Sequence, residues 1–313
     1  MGRRRLPPLD DEVFGTPAED ARRRDFTVNG LFYDIADFSI IDHVGGLDDL
    51  EGRLIRTIGP PVVRFEEDPV RMLRALEYAV RLDFEIEPAT RAAIEECVEL
   101  LGEASPARLT YELSEGLHSG AASGIVREWC RFGVLGRAFP HLPFDEAVTQ
   151  RLLAEVDRRR QQEQPVSPVT VLGAFFLPQA ARVLAELFQD GRRFDNPSYL
   201  ERLNEMLSPA GAAMHLTNHQ QHLLHHGLFT LSKLRRAPER GRQVVKLARQ
   251  DYFAVAWEMF ELAAASGLVP EAPWQAWSRA LERLRRGEEA VAQAAPTEDL
   301  GRRGRRPRRR RKR

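Results

Sequence analysis

The stretch from Arg22 to Leu31 has the sequence Arg-Arg-Arg-Asp-Phe-Thr-Val-Asn-Gly-Leu, and a second charged run, Glu-Glu-Asp-Pro-Val-Arg-Met-Leu-Arg-Ala, occupies residues 66–75. Three arginines, an acid and an amide beside an apolar segment make a poor core but a good cradle for an anion. A guanidinium binds oxyanions through two parallel hydrogen bonds and keeps its charge. In the second run, Asp68 and Arg71 are three residues apart, which predicts neighbouring positions on one helix face. Such an acceptor and donor side by side suit the hydrogen-bonding edge of a nucleobase.

Each run taken alone has a plainer interpretation. The charges at 23–25 are typical of a surface salt-bridge cluster, and Asp68 with Arg71 would be an ordinary helix pair contributing a few tenths of a kcal/mol. Gly45-Gly46 is interpreted as a structural turn, since no Lys-Ser/Thr follows it as in a phosphate-binding loop. The hypothesis of one joint site therefore depends on convergence of the side chains at positions 24, 25, 68 and 71.

The composition is that of a globular chain with room for two or three small domains: 313 residues, of which 43% are apolar. No apolar run approaches the ~18 residues that cross a bilayer, and the basic N-terminus turns acidic without the apolar core of a signal peptide. Cys97 and Cys130 are the only cysteines, so neither a disulfide framework nor a Cys-x-x-Cys site is predicted. These features favour a cytoplasmic protein with no membrane partner.

The formal net charge of zero hides a segregation of charge along the chain. Residues 302–313 contain ten Arg or Lys and no acid, so the remaining chain has 36 basic against 46 acidic residues. We therefore expect polyanions to be bound by the tail and by local arginine clusters, not by the field of the whole protein. Binding of that kind releases counterions and is strongly salt-dependent.

The pattern of apolar residues predicts a mainly α protein. Residues 26–43 have β-branched and aromatic residues around a polar break, which predicts a β-hairpin. From Asp68 onward apolar residues recur with a helical period, with a proline tolerated in the first turn. A further helix is predicted from Ala121 to Val134, and a polar linker from Gln161 to Ser167. Residues 289–313 are of low complexity with little to bury, which predicts disorder.

Three linked stretches of the sequence resemble motifs of the class II nucleotidyltransferases, the bacterial poly(A) polymerases and CCA-adding tRNA enzymes. They are RRDFTVNGL at 23–31, DHVGGLDDLEGRLIRTIG at 42–59 and RFEEDPVRMLRA at 64–75. Three motifs in this order are more specific than one, and the likeness continues more loosely to about residue 140. The resemblance implies four parts: a partial head with a remnant β-hairpin at 1–60, a helical base-recognition neck at 61–140, a helical RNA-binding body at 141–288 and a disordered Arg-rich tail at 289–313.

Family chemistry is the transfer of a nucleoside monophosphate from a triphosphate to an RNA 3′-hydroxyl, so the resemblance implies Mg²⁺, ATP and RNA as cofactors and partners. It implies a catalytic role for Asp25 and nucleotide binding by Arg23, Arg24, Asn29, Asp68, Arg71 and Arg74. At position 77, where the family usually has Arg, this sequence has Glu77. A negative charge there lies near the expected nucleotide phosphates and weakens the expectation of ordinary triphosphate binding.

The family's metal-binding carboxylates come from an Asp-x-Asp pair that follows a Gly-Gly-x-Val-Arg-Asp loop, upstream of the first motif. Neither feature occurs in the 22 residues before Arg23, where Asp10 and Asp11 are adjacent and would point to opposite faces of a strand. We therefore expect that the chain begins inside the head domain and that its metal ligands are missing. The isolated chain is expected to be inactive as a transferase, unless a separate chain supplies the missing half.

Basic clusters are the candidates for contact with RNA phosphates. They are Arg235, Arg236, Arg240 and Arg242 in the body, and Arg308, Arg309 and Arg310 in the tail. A solvated helix end is the alternative for the first cluster, and a solubilising extension for the second.

A run of histidines, His215, His219, His222 and His226, falls on one face of a predicted helix. One helix offers at most two ligands to one ion, so a polar or pH-sensitive packed face is favoured over a metal site.

Within the family, a poly(A) polymerase is favoured over a CCA-adding enzyme. The stretch Tyr33 to Phe38 suggests the longer strand connection of the polymerases, and the Arg-Gly-Arg cluster at 240–242 and the Arg-rich tail suit RNA of unspecified sequence. Two alternatives stay open: a fragment of a CCA-adding tRNA nucleotidyltransferase, and a non-catalytic RNA-binding protein derived from this family.

Overall fold

The computed structural model describes residues 15–140, 142, 144–189 and 196–287. Within these ranges the chain is mainly α-helical, which confirms the predicted fold class. The four strands are β1 Phe32–Tyr33, β2 Ile40–Ile41, β3 Leu54–Ile55 and β4 Glu85–Ile86. The helices are α1 Pro17–Arg23, α2 Gly46–Glu51, α3 Pro61–Glu67, α4 Arg71–Leu82, α5 Pro88–Cys97, α6 Pro106–His118, α7 Ala122–Arg131, α8 Val134–Ala138, α9 Glu146–Gln161, α10 Pro168–Gln189, α11 Asn196–Ala213, α12 Asn218–Leu234, α13 Gly241–Ala248, α14 Phe253–Ala265 and α15 Glu271–Arg285.

The predicted hairpin is present but short. β1 pairs with β2 in antiparallel fashion, with Phe32 opposite Ile41. Phe26 was predicted to belong to this hairpin; instead it forms a bridge with Thr57, and residues 27–29 form a 3₁₀ turn. The side chain of Asn29 accepts a hydrogen bond from the Phe26 N–H at 3.1 Å, and such local bonds compete with strand pairing.

Gly45-Gly46 is a structural turn, as predicted. The Asp42 carboxylate accepts hydrogen bonds from the backbone N–H groups of residues 44, 45 and 47, which lower the pKa of Asp42 against the opposing effect of burial. Gly45 has φ +79°, a conformation that glycine adopts without a steric cost. Gly46 packs so closely on Thr27 that an added Cβ would lie 2.2 Å from the Thr27 carbonyl oxygen.

The chain breaks at Asp68, where the sequence predicted a helix. α3 ends at Glu67, Asp68 is extended at φ −150° and ψ 94°, and α4 begins only at Arg71. The reason is Pro69, whose ring disfavours the helical conformation of the residue before it. The prediction that Asp68 and Arg71 share one helix face is therefore wrong.

A glycine also divides the helix predicted from 121 to 134. Gly133 has φ +73° and separates α7 from α8. The predicted linker at 161–167 is confirmed, because α9 ends at Gln161 and α10 begins at Pro168.

The hydrophobic core is organised around α10, which packs against α9, α11, α12 and α14. Phe139, Phe144, Phe175 and Phe176 form a cluster of aromatic rings whose centroids are 4.9 to 6.0 Å apart. A second hydrophobic cluster, around Trp277, joins α13, α14 and α15. Together the two clusters bury most of the apolar side chains of the described helices.

α10 corrects one statement drawn from the sequence. Residues 168–186 are long and apolar enough, by length and composition, to cross a membrane, although no such run was expected. In the structure 67% of that stretch is buried among other helices, as in the core helix of a packed domain.

The predicted tail at 289–313 lies outside the described residues, as do the first fourteen residues of the predicted head.

Candidate nucleotide-binding site

Asp25 lies between two guanidinium groups. Its Oδ1 accepts a hydrogen bond from Arg71 Nε at 2.8 Å, and its Oδ2 lies 2.7 Å from Arg74 Nη1. Both arginines lie in the first turn of α4, three residues apart, so one helix face directs both groups at the same carboxylate. The side chains of Asp25, Arg71 and Arg74 are only 11%, 13% and 28% exposed. Two guanidiniums face this one carboxylate, but Glu67, which also accepts from Arg71, and Glu112, near Arg74, offset part of their charge.

Arg74 is held from a second side by Tyr78. Its Nη2 donates a hydrogen bond to the tyrosine oxygen at 3.1 Å, and its guanidinium lies 5.8 Å from the ring centroid. Burial acts to lower the pKa of Arg74, but the bond to Tyr78 and the charge of Asp25 outweigh it, and the pKa is raised. Tyr78 in turn packs edge-on against Phe26 at 5.7 Å, so the orientation of the guanidinium is fixed by the core.

Arg64, on α3, connects this cluster to the segment before Asp25. Its Nη2 donates to the carbonyl oxygens of Arg23 at 3.0 Å and Arg24 at 2.8 Å. Its Nη1 binds Glu67 at 2.6 Å, and the same carboxylate oxygen accepts from Arg71 at 3.1 Å. Arg64 was not among the site residues predicted from the sequence, although it is the first residue of the motif at 64–75.

Arg24 and Asn29 lie together at the start of the head segment. Arg24 donates to the carbonyl oxygen of Asn29 at 2.8 Å, pairs with Asp20 at 3.0 Å and lies over the ring of Phe32 at 4.6 Å. Arg23, by contrast, is exposed, and its side chain has no ion-pair partner in the described part of the chain. Of these two arginines, Arg23 is therefore the one whose guanidinium is open to solvent, without an ion-pair partner among the described residues.

Asp68 pairs with a residue that the sequence analysis did not assign to the site. Its Oδ2 lies 2.6 Å from Arg108 Nη2 at the start of α6, and Arg71 is engaged by Asp25 instead. Four residues later on the same helix face, Glu112 is buried close to Arg74. The sequence does contain a signal for this residue: Glu112 is an acid within the apolar helical repeat that includes Leu109 and Leu113, a position expected to be buried.

Glu112 has a strongly perturbed environment. Burial raises its pKa to about 7; Arg74 and Arg108 oppose this increase, while the negative charges of Glu77 and Asp25 add to it. Near neutral pH this carboxyl group therefore exchanges a proton, next to a guanidinium that the resemblance assigns to nucleotide binding. Perturbed carboxyls of this kind cluster at functional sites.

Glu77, the departure from the family pattern, is compensated by its own neighbour. It is 4% exposed and pairs with Arg81 at 2.7 Å, one helical turn later. Arg81 thus partly neutralises the charge of Glu77 and reduces its electrostatic effect on Asp25 and the arginines around it.

The expected convergence is therefore present in part. Arg71 and Arg74 both contact Asp25, and Arg64 connects Arg71 to the main-chain oxygen of Arg24. Arg71 donates its backbone N–H to the Asp68 carbonyl oxygen at 3.2 Å, but the Asp68 side chain pairs with Arg108 and not with Arg71. We call this group of side chains the arginine cluster; it is defined by Asp25, Arg64, Arg71, Arg74, Arg108 and Glu112.

Two segments of the chain match models of known protein families. Residues 6–56 match the poly A polymerase head domain, and residues 83–145 match a probable RNA- and SrmB-binding site of polymerase A. Poly(A) polymerase I of Salmonella typhi is 31% identical over 271 residues, covering 82% of this chain and 57% of that protein.

The chain belongs to the poly(A) polymerase and CCA-adding enzyme family.

Two further similarities lie on the CCA-adding side of this family. The CCA-adding enzyme of Lactobacillus johnsonii is 47% identical over 95 residues, covering 30% of this chain and 24% of that enzyme. The crystal structure of a tRNA nucleotidyltransferase complexed with a primer tRNA and an incoming ATP analogue is similar in fold, with a TM-score of 0.62 and 23% identity over 89% of this chain and 76% of that one. The chain spans about half the length of the poly(A) polymerases that it matches, between 46% and 57%.

Family members imply a divalent metal ion, and the residues described here do not fit one. Among them there is no group of three or more His, Cys, Asp or Glu side chains that could hold a metal ion. Asp25, the expected catalytic acid, already has both oxygens engaged by arginines. These side chains therefore do not form a site for a metal-dependent step.

The body arginines predicted to bind RNA lie at the junction of two helices of this family member. Arg235 and Arg236 follow α12, Arg240 precedes α13, and Arg242 lies in its first turn. All four are exposed, and none is ion-paired to a carboxylate in the described ranges. The tail arginines at 308–310 lie outside the described residues.

The predicted histidine face is wrong in one member: α12 begins at Asn218, so His215, at φ +47°, precedes the helix, and His219, His222 and His226 lie on it. His225 lies beside them on the same helix. His225 is buried, and its Nδ1 lies 2.6 Å from the side-chain oxygen of Asn204, while burial lowers its pKa. His222 and His226 are packed together with a ring distance of 4.4 Å. The preference for a packed face over a metal site stays a prediction for these residues.

Proposed function

We propose that this chain binds a nucleoside triphosphate and RNA as part of RNA 3′-end processing of the poly(A) polymerase type. The observation that carries this proposal is the arrangement around Asp25. Two motifs separated by more than forty residues bring one carboxylate and two guanidiniums together in a largely buried cluster. Guanidiniums fixed in this way are preorganised for phosphate oxygens.

Asp25 acts in this proposal as a positioning residue. Its oxygens hold Arg71 and Arg74, and the two guanidiniums contact the nucleotide. Asp68 reaches the base edge only when it exchanges its bond to Arg108 for one to the base, so Arg108 competes with the nucleotide for Asp68. Mg²⁺ and a cytoplasmic location are further expectations from the family resemblance.

The type of transfer is proposed from the extent of similarity. Likeness to poly(A) polymerase I runs through 271 residues and includes the body, which supports AMP transfer from ATP to an RNA 3′-hydroxyl as the parent reaction. The CCA-adding alternative rests on the higher identity, 47%, within 95 residues. Because the sequence has no Asp-x-Asp pair, we propose that this chain by itself binds both partners without transferring the nucleotide.

Nucleotide binding is tested by isothermal titration calorimetry of the full chain with ATP and CTP. Arg71→Ala is expected to weaken ATP binding about tenfold or more, since a hydrogen bond to a charged group contributes ~1.5–3 kcal/mol. Arg158→Ala, an exposed arginine of α9 paired with Glu155, is the matched control and should leave the affinity unchanged. Arg108→Ala should tighten binding. Equal losses for Arg71→Ala and Arg158→Ala would contradict the assignment, and preference for CTP would favour the CCA-adding alternative.

Transfer itself is tested with radiolabelled ATP and an RNA primer on the purified chain. The expected result is RNA retention on a filter without growth of a 3′ tail. Magnesium-dependent tail growth would overturn the proposal that the chain lacks turnover, while leaving nucleotide binding intact.

A further inference from the structure

Three rings form a compact group on the surface between α12 and α14. His222 and His226 are 4.4 Å apart, His226 stacks on Tyr252 at 5.0 Å with 20° between the planes, and His222 meets Tyr252 edge-on at 5.9 Å. The Asp251 carboxylate, 3.2 Å from His222 Nε2, fixes the orientation of the imidazole. The side chain of His222 remains 41% exposed, so one ring of the group is open to solvent.

Unpaired positive charge lies beside this group. Arg242, Lys246 and Arg249 recur at i, i+4 and i+7 along α13 and its C-cap, which directs all three to one face. The opposite face is buried through Val244 and Leu247, so the basic side chains point outward.

These charges have no carboxylate partner among the described residues, unlike many exposed arginines of this chain. Arg182 pairs with Glu186 and Arg158 with Glu155, for example. Lys233 connects the two groups, because it lies near Lys246 and His226; burial and the charge of Lys246 lower its pKa.

We propose that this surface binds a single RNA strand, with a nucleobase stacked on His222 and successive phosphates on Arg242, Lys246 and Arg249. The commitment to a nucleic acid follows from charge complementarity, since three exposed cations on one helix face, without a carboxylate partner in the described ranges, suit a polyanion. The commitment to a single strand follows from the ring group, because stacking requires a base that is not already stacked in a duplex. Side chains four residues apart on a helix are separated by about 6 Å along its axis, comparable to the distance between adjacent phosphates of a strand. The inference rests on the proposed RNA function and gives it a site remote from the arginine cluster.

Binding of a fluorescein-labelled oligo(A) RNA, followed by anisotropy on the full chain, tests the base contact. His222→Ala is expected to raise the Kd about 5- to 100-fold, as loss of one stacked base does. It should not change the Kd of an abasic strand of equal length. His219→Ala, an exposed histidine on the same helix for which the structure shows no ring contact, is the matched control. Equal affinity of the His222 variant and the control for oligo(A) would overturn the base contact.

The phosphate row is tested with the triple variant Arg242→Ala, Lys246→Ala and Arg249→Ala. It should weaken both the oligo(A) and the abasic strand and reduce the slope of log Kd against log salt by about one for each phosphate lost. The double variant Arg182→Ala and Arg202→Ala, on α10 and α11, serves as the control. An unchanged slope in the triple variant would overturn the inference while leaving the proposed RNA function in place. Absence of oligo(A) binding by the unaltered chain would overturn both.

Photo-crosslinking separates this surface from the arginine-rich tail. A 4-thiouridine placed within the oligonucleotide should crosslink to peptides between residues 222 and 252. Crosslinks confined to residues 302–313 would overturn the proposed base contact.

Discussion

Replacement of Glu112 by Gln should stabilise this protein, and more so as the pH rises. Burial raises the pKa of Glu112 to about 7 from the usual 4.5. The folded state therefore binds a proton that the unfolded state has lost between these two values. Stability falls with pH wherever the folded state binds more protons. The destabilisation is absent below about pH 4, grows through the window between the two pKa values, and is complete above about pH 8.

The magnitude follows from the distance between the two pKa values. Each pKa unit corresponds to about 1.4 kcal/mol, so ionised Glu112 destabilises the fold by ~3 kcal/mol above pH 8. At pH 5 only ~1 kcal/mol of this destabilisation is present, because pH 5 lies just above the pKa of Glu112 in the unfolded state. Gln has the shape of the protonated acid and carries no charge. The variant should therefore gain about 2 kcal/mol more at pH 8 than at pH 5.

Urea denaturation of the full chain at both pH values, followed by circular dichroism, measures this difference. Glu115→Gln, at an exposed position of α6, is the matched control and should show no such dependence on pH. The reasoning is refuted if Glu112→Gln destabilises the protein equally at pH 5 and pH 8, since that result would mean a lost hydrogen bond and not a relieved charge. ATP titrations at the same two pH values would show whether the proton on Glu112 affects Arg74.

Three further substitutions test the packing around the site, each by urea denaturation. Asp25→Asn should destabilise the fold by ~3 kcal/mol, because breaking a buried ion pair leaves charge unpaired, and partial exposure of its partners favours the low end of the range. Gly46→Ala should cost ~1–3 kcal/mol, since its Cβ would lie 2.2 Å from the Thr27 carbonyl oxygen and the backbone must move. Asp157→Ala should cost ~1–2 kcal/mol, since its carboxylate accepts from the first two backbone N–H groups of α7 at 3.0 and 2.9 Å.

Each substitution has a control within the chain. Asp83→Asn removes a carboxylate that is 96% exposed beside Arg53 and should be neutral. Gly102→Ala adds a methyl group where nothing lies within 4 Å. Asp157→Asn keeps an acceptor oxygen and should retain about half of the stability that Ala loses. If a substitution is no more costly than its control, the corresponding contact does not contribute as inferred.

Sequence patterns predicted the elements whose structure is local. Residues 32–41 form a hairpin because β-branched and aromatic side chains flank a polar turn, and 161–167 form a linker because polar residues and prolines interrupt the helical period. The contact of Asp25 with Arg71 was foreseen only through the linked motifs, since nothing in the local pattern pairs residues forty-six apart.

The features that the sequence did not predict correctly depend on tertiary packing or on the conformation of a single residue. Asp68 was placed on a helix because its charge pattern suited one, but the constraint from Pro69 is stronger than propensity. The perturbed Glu112 was missed because its burial comes from the docking of α6 against α4. The extent of the hairpin was overestimated because Phe26 pairs with Thr57, a partner thirty-one residues away.

Arg64 binds the end of α1, just before Asp25, through the main-chain oxygens of residues 23 and 24 and not through their side chains. These two hydrogen bonds therefore do not depend on which amino acids occupy positions 23 and 24. Replacing either side chain would leave these two hydrogen bonds in place, although the Arg24 side chain also holds Asp20 and Asn29 through bonds of its own. A change at Arg64, by contrast, removes both main-chain bonds at once, whichever residues precede Asp25.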